Sequence, residues 1–355
     1  MVKKIHIIRT RYPHWGAHSG INQFVKFIDQ SHYQVAVQSA SDGDDDFPIK
    51  NSAVRGGIRR LVQRRGMSWY KLSDLTAEIK ALGQCLRHGV DLVHYLDGEH
   101  SAQYLPRLLK RAGKRRVKSV ASFHQPADML DSLVIKDVIS ELDQVILVSP
   151  EQADYFEPIL GHERIRIILH GIDTDYFKPG ERPGGERKFK CITVGHYLRD
   201  FKAVREVAEK LIDNRDIEFH VVTSSATGLE GMANVIVHKN VDDATLLKLY
   251  QESDALFLPL LSATANNALL EGIACGLPVI STSLPSVKAY LPGSEAILIR
   301  DNDPEGLEEA VLYLFHNPEE AARMAGRARR RAEELSWQNI APQYEAIYSQ
   351  LTNEN

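Results

Sequence analysis

The chain has 355 residues with a formal charge of −4, 43% of them hydrophobic and 25% charged. That composition is the ordinary one of a soluble globular protein, and a chain of this length outgrows one core, so two domains of roughly 150–180 residues are expected. Three cysteines, Cys85, Cys191 and Cys275, are odd in number and far apart; they exclude a disulfide framework and a Cys-x-x-Cys metal site, suit a reducing cytosol and read as small buried hydrophobes.

The opening MVKKIHIIRTRYPHW has an apolar run too short for a signal peptide before Arg9 and Arg11 interrupt it, and it reads as a first strand. KKIHIIRT, YQVAVQSA, DLVHYL, VKSVASFH, QVILVSP and RIRIILHG are the strands expected of the first half. Among the intervening amphipathic segments, DLTAEIKALGQCLRHG is a helix with Ser73 as its N-cap and Gly89 as its stop. The acidic SDGDDDF is a loop, and RGGIRRLVQRRGMSWYKL after it is strongly basic. There Ile58, Leu61 and Val62 fall at i, i+3 and i+4 beside Arg55, Arg59, Arg60, Arg64 and Arg65, while Met67, Trp69 and Tyr70 follow. Gly56, Gly57 and Gly66 limit a helix here to about two turns, which makes it an interfacial anchor patch in expectation.

Charge is unevenly spread. Residues 1–180 hold 25 Lys+Arg to 21 Asp+Glu, the remainder 18 to 26, and residues 50–120 alone 16 to 5. Such a surplus attracts anionic headgroups, nucleic acid or acidic polymers, or is a solvated face. No uninterrupted apolar segment approaches the ~20 residues that span a bilayer, so no integral membrane protein is expected.

DTDYFKPGERPGGERK has linker composition, rich in Pro, Gly and charge. The alternation then restarts with strands KCITVG, IEFHVVTS, NVIVHKN, ALFLPL, PVISTS and AILIR, and a last helix lies around WQNIAPQYEAIYSQL. Within SATANNALLEGIACGLPVIST, small residues and Asn266-Asn267 lead into a helix carrying Glu271, and Gly276-Leu277-Pro278 stops it before a β-branched run. A loop feeding a helix N-terminus gathers unpaired N–H groups and suits an anion; an ordinary αβ unit with a polar N-cap is the alternative. Strand–helix alternation twice over implies two doubly wound α/β domains with ligand crevices at the strand carboxyl ends, facing a central cleft.

At LHGIDTDYFKP and NNALLEGIACGLPVIST the chain resembles the GT-B-fold retaining glycosyltransferases of family 4, the group 1 glycosyl transferases. VGHYLRDFKAV resembles the strand-to-helix turn that opens their C-terminal domain, and RYPHWGAHSGINQFV stands where they carry a glycine loop. The resemblance implies a GT-B fold with an N-terminal acceptor-binding Rossmann-like domain over 1–180, a nucleotide-sugar-binding one over 181–335, and a final helix at about 336–352 packing back on the first. It implies Arg199 and Lys202 as the positive charge for the leaving diphosphate, and His124, at the end of SVASFH, as a catalytic group presented to the donor sugar. It gives Glu271 the ribose hydroxyls, the backbone of Ala265, Asn266 and Asn267 the phosphate and sugar, and Gly16, Ser19 and Gly20 a close approach to the phosphates. Asp97 and Glu99, at another strand end, are candidates for meeting the acceptor hydroxyl.

Three features depart from the family pattern. Ala263 stands where the first Glu of E-x7-E would be, which puts donor identity in doubt. The usual G-R after the domain-opening strand is Gly195-His196, with Lys202 about one residue off, so Arg199 carries more weight. The glycine-rich turn after the next strand is Thr223-Ser224-Ser225. The expected activity is metal-independent transfer of a sugar from a nucleotide-diphosphate sugar to a glycan or lipid-linked acceptor, in the cytoplasm and peripherally on the inner membrane face. No nucleic acid partner is expected. A sugar-nucleotide hydrolase or epimerase of the same fold and a non-catalytic subunit, which Ala263 favours, are the alternatives. A nicotinamide dehydrogenase is disfavoured because no GxGxxG follows the first strand.

Overall fold

The computed structural model describes residues 2–12, 16–64, 66–114, 116–181, 187–225 and 227–353. Arg65 and Arg115 of the basic stretches, 13–15 before the glycine loop and 182–186 of the linker lie outside the described residues.

Among the described residues all twelve expected strands are present, in two six-stranded parallel sheets. The first joins β1 (Lys3–Arg11), β2 (Tyr33–Ser41), β3 (Leu92–Tyr95), β4 (Lys118–Phe123), β5 (Gln144–Leu147) and β6 (Ile165–Ile167) in the order β2-β1-β3-β4-β5-β6. The second joins β7 (Phe189–Val194), β8 (Ile217–Val222), β9 (Val235–His238), β10 (Ala255–Leu258), β11 (Val279–Thr282) and β12 (Ala296–Ile299) in the order β12-β11-β10-β7-β8-β9. The reason these segments form strands is visible in burial. In β3, β5, β10 and β11 every residue is buried, as strands covered on both faces must be, whereas the edge strands β2 and β9 are half-exposed.

The chain divides into two compact units: Met1–Trp15, Ile21–His170 and Ile340–Asn355 form the first, and Gly16–Gly20 with Gly171–Asn339 the second. The glycine-loop segment thus belongs to the second unit, and the last helix, Trp337–Asn353, passes into the first at Ile340. Cys85, Cys191 and Cys275 are all buried and free. Among the described residues no helix is long and apolar enough to cross a membrane.

Two local expectations change. The Leu72–Arg87 helix starts one residue before Ser73, with Lys71 at its cap position. Asp44 accepts from the Leu72 N–H and Asp74 from the Lys71 N–H, so Ser73 is released to meet Ser41, Oγ to Oγ at 2.8 Å. The basic helix runs Ser52–Gln63, straight through Gly56 and Gly57, because Asn51 caps it by accepting from the N–H groups of Ala53 and Val54 at 3.1 Å. Its apolar stripe splits: Val62 is buried and Leu61 is 73% exposed. Met67 and Tyr70 belong to the core rather than to a surface anchor.

Candidate active site

The Asn267–Ala274 helix begins at the end of a loop that leaves β10. Asn266 sits at its N-cap in extended backbone, and its Oδ1 accepts from the Leu269 N–H at 3.3 Å. The same oxygen accepts from Nη2 of Arg199 at 3.2 Å. Arg199 is held on its other sides too, donating from Nε to the Val194 carbonyl at 2.8 Å and from Nη1 to the Tyr197 carbonyl at 2.9 Å. Gly195 makes room for it: its φ is +93°, and a Cβ there would stand 2.9 Å from Nη2. Asp200 anchors the turn by capping the Phe201–Lys210 helix at Ala203 and accepting from Asn302. Burial lowers the Arg199 guanidinium to about 10, so it remains a cation at neutral pH.

Glu271, one turn into the helix, is 4% exposed, not on an open surface as a cleft residue would be. It accepts hydrogen bonds from the Ser19 hydroxyl and from Tyr250 Oη, the latter at 2.9 Å. Burial raises its carboxyl to about 7, against the lowering effect of those two donors and Arg199. Ser19 reaches it from a segment that several contacts fix. Ala17 N–H donates to Asp243 Oδ2 at 2.7 Å, and a Cβ on Gly16 would collide with that carboxylate. His18 stacks on Tyr176 with ring centroids 3.5 Å apart and lies 3.6 Å from Asp173. Gly20 follows at φ +80°. The glycine-loop segment therefore seats on the GIDTDYF motif and on the Asn267–Ala274 helix.

Gly16, Ser19, Gly20, Arg199, Ala265, Asn266, Asn267 and Glu271 all fall in the second unit, with Ala265 and Asn267 half-buried at the helix start. Lys202 does not join Arg199: its side chain is 84% exposed and pairs with Glu206, one turn along its own helix, at 3.5 Å. Ala263 is buried beside the loop. The Thr223-Ser224-Ser225 turn is closed by the Thr223 hydroxyl, which accepts from the Ser225 N–H at 3.2 Å.

His124 belongs to the first unit, just past β4. Its backbone N–H donates to Glu99 Oε1 at 3.0 Å, and its Nδ1 lies 3.8 Å from the same oxygen. Burial, then His170, lowers its imidazole to about 3, so the ring is neutral. Asp97 and Glu99 are deeply buried instead of open at the strand end; Asp97 accepts from the Thr10 N–H at 3.1 Å. Burial raises their carboxyls to about 7 and about 8.

Residues 16–176 match the family described as "Glycosyltransferase Family 4", and residues 190–317 the one described as "Glycosyl transferases group 1". The chain belongs to the family 4 glycosyltransferases. This glycosyltransferase is 22% identical over 329 residues to the D-inositol 3-phosphate glycosyltransferase of Rhodococcus jostii, covering 83% of this chain and 70% of that one. Its fold is similar to that of the sucrose-phosphate synthase of Thermosynechococcus elongatus, with a TM-score of 0.73 at 15% identity over 99% of this chain and all of the other. It is also similar to Anabaena Alr3699/HepE, solved in complex with UDP and glucose, at TM-score 0.65 and 14% identity over 98% and 100% of the two chains. The GT-B architecture of two Rossmann-like units is thus that of its structural relatives.

Tyr250, Asp243 and Tyr176 are partners of the site that the sequence alone does not reveal, whereas Glu99, a candidate for the acceptor hydroxyl, instead accepts from the His124 N–H. Tyr250 reads as one more apolar position in an amphipathic helix, and no local pattern separates it from core. The Tyr176 ring lies inside the GIDTDYF motif, but what stacks on it comes from residue 18.

Proposed function

We propose that this glycosyltransferase takes its sugar from a nucleoside-diphosphate donor held by the second unit, retains the anomeric configuration, and needs no metal ion. The observation that carries the reading is the convergence of a half-buried cation, a capped helix start and a buried carboxylate: Arg199 on Asn266, with Glu271 one turn below. Negative charge grows on the diphosphate as the glycosidic bond breaks. A preformed guanidinium and the N–H groups at residues 265–267 stabilise that charge without having to reorganise. Lys202 adds to it only by leaving Glu206. Glu271 is assigned to the ribose diol; two hydroxyl donors would replace the Ser19 bond and favour the ionised carboxylate. In this reading Gly16, Ser19 and Gly20 border the phosphates, and the neutral His124 serves the hydroxyls of the transferred sugar.

Retention follows a same-face route, in which the acceptor hydroxyl attacks from the side that the phosphate leaves and passes its proton to a phosphate oxygen. No protein nucleophile is then required. The relative that binds UDP and glucose supports a nucleotide donor. The acceptor is assigned to the first unit, and its basic helix favours a glycan or lipid-linked acceptor at an anionic membrane surface. The test is a panel of nucleotide sugars screened by thermal shift, where a donor at a hundred times its Kd adds ~2.7 kcal/mol. The best donor is then followed by NMR at the product anomeric centre. Stabilisation by no nucleotide sugar would refute the donor assignment, and an inverted product the retaining one.

A further inference from the structure

We propose that the first unit carries a second ligand site, for a phosphate monoester, in the crevice between β1, β2 and the Leu72–Arg87 helix. The crevice has a volume of about 530 Å³ and is lined by His6, Gln38, Lys80, Gln84, Arg87 and His88, together with small and aliphatic residues and, among the described residues, no carboxylate. Pockets of some 300–1,000 Å³ hold small metabolites, so there is room for an organic body as well as its phosphate.

His6 is the discriminating residue. It sits mid-strand in β1, is 4% exposed, lines the crevice, and neither of its ring nitrogens has a hydrogen-bond partner among the described residues. A buried polar group left without a partner costs on the order of 1–3 kcal/mol, so such groups persist where a ligand or solvent completes them. Arg87 and His88 alone would not carry the argument, because cations at a helix carboxyl end are explained by its dipole. Lys80 is two turns earlier on the helix and has no such explanation, yet it lines the same crevice. Gly83 opens the wall between Lys80 and Arg87: a Cβ there would meet nothing within 4 Å, although glycine inside a helix is destabilising by roughly 0.5–1 kcal/mol relative to alanine. The crevice shares no residue with the strand ends where Asp97, Glu99 and His124 lie.

The experiment follows the His6 imidazole by NMR while glycerol 3-phosphate is added to the full chain at constant ionic strength, with inorganic phosphate as a second probe. A saturable shift at His6 is expected, tighter for glycerol 3-phosphate than for phosphate. Arg87→Ala should weaken it about tenfold, the loss of one charge-assisted hydrogen bond. Gly83→Met, which fills the mouth, should abolish it while the melting temperature is kept or raised and donor turnover stays normal. Vesicles of phosphatidylcholine with and without phosphatidic acid, competing for the same signal, tell a membrane-borne phosphate from a free one; either source supports the site. No saturable shift with any of these probes, or equal shifts in wild type and Arg87→Ala, would overturn it, and Arg87→Ala keeps the test decisive even if Gly83→Met does not fold.

Discussion

Glu271 is buried with an ordinary pKa of 4.5 raised to about 7, and that fixes the sign of two effects. A carboxyl whose pKa is raised on folding contributes stability fully below its unfolded value and loses it as pH rises through the folded one. Between pH 4.5 and 7.5 the wild-type protein should therefore lose up to about 3 kcal/mol that a Glu271→Gln variant does not lose. Denaturant unfolding of both proteins at several pH values measures the difference; parallel curves would mean that the carboxyl is not perturbed. Donor binding runs the other way. If ribose hydroxyls favour the carboxylate, affinity for the best donor should rise between pH 5.5 and 7.5, and calorimetry in two buffers should detect proton release that Glu271→Gln removes. Glu271→Ala should weaken donor binding by about 1.5–3 kcal/mol, but it also strands Tyr250, so Gln is the cleaner variant. The two cations of the site are separated by the same reasoning. Arg199 is half-buried against Asn266 while Lys202 is exposed beside Glu206. Arg199→Ala should lower kcat far more than Lys202→Ala, because an interaction made with developing charge acts on turnover. Equal losses would show that Lys202 swings in during the reaction.

The element with the most consequence for location is the Ser52–Gln63 helix. Arg59 pairs with Asp44, and Arg55 lies 3.9 Å from the same carboxylate, so two of the five arginines of the expected basic face share one internal counter-charge. Arg60, Arg64, Leu61 and Val54 remain exposed. At about 1 kcal/mol per basic residue near an anionic surface, those two arginines with two apolar side chains would support only weak, reversible attachment. Co-sedimentation with anionic vesicles at low salt is expected, lost at high salt, on neutral vesicles and on joint replacement of Arg60 and Leu61. No pelleting with anionic vesicles at low salt removes the membrane from the account. This helix also shows what a sequence reveals. Strands buried on both faces, such as β3, β5, β10 and β11, announce themselves as short apolar runs, and the half-exposed edge strands were legible from the turn signals that bound them. Helix ends are set by caps: Asn51 carried the basic helix through two glycines, and Asp44 displaced Ser73 from its expected role. In the site, Asn266, Glu271 and Arg199 were legible from their motifs. Ser19 on Glu271 was not, because 252 residues separate them and only the finished fold pairs them.

Across the whole molecule, the last helix is the segment whose removal discriminates between the two units. Trp337 lies in the second, packed where a Cβ on Gly171 would strike its ring, and the residues from Ile340 onward lie in the first. There Tyr344 packs on Phe24 with ring centroids 4.5 Å apart, and Tyr348 Oη bonds Nδ1 of His94 at 2.6 Å. Tyr33 donates to the Glu345 carbonyl and Lys3 to that of Thr352, so the helix closes over β1, β2 and β3. Burial lowers His94 to about 3; it is a neutral ring whose other nitrogen lies 2.9 Å from Ser122 Oγ. Tyr348→Phe should cost about 1–3 kcal/mol, the penalty of leaving a buried ring nitrogen unpaired. Ending the chain after Asn339 removes two buried tyrosines, each worth about 3–5 kcal/mol as an aromatic truncation, from a unit whose whole stability is of order 5–15 kcal/mol. The first unit should then lose its cooperative transition and become protease-sensitive, while the second, which loses none of Gly16–Gly20 and Gly171–Asn339, keeps its own. Calorimetry and limited proteolysis of the truncated chain test this. Two intact transitions would show that the first sheet is stable without its C-terminal cover, and loss of both would show that the second unit does not fold independently of the first.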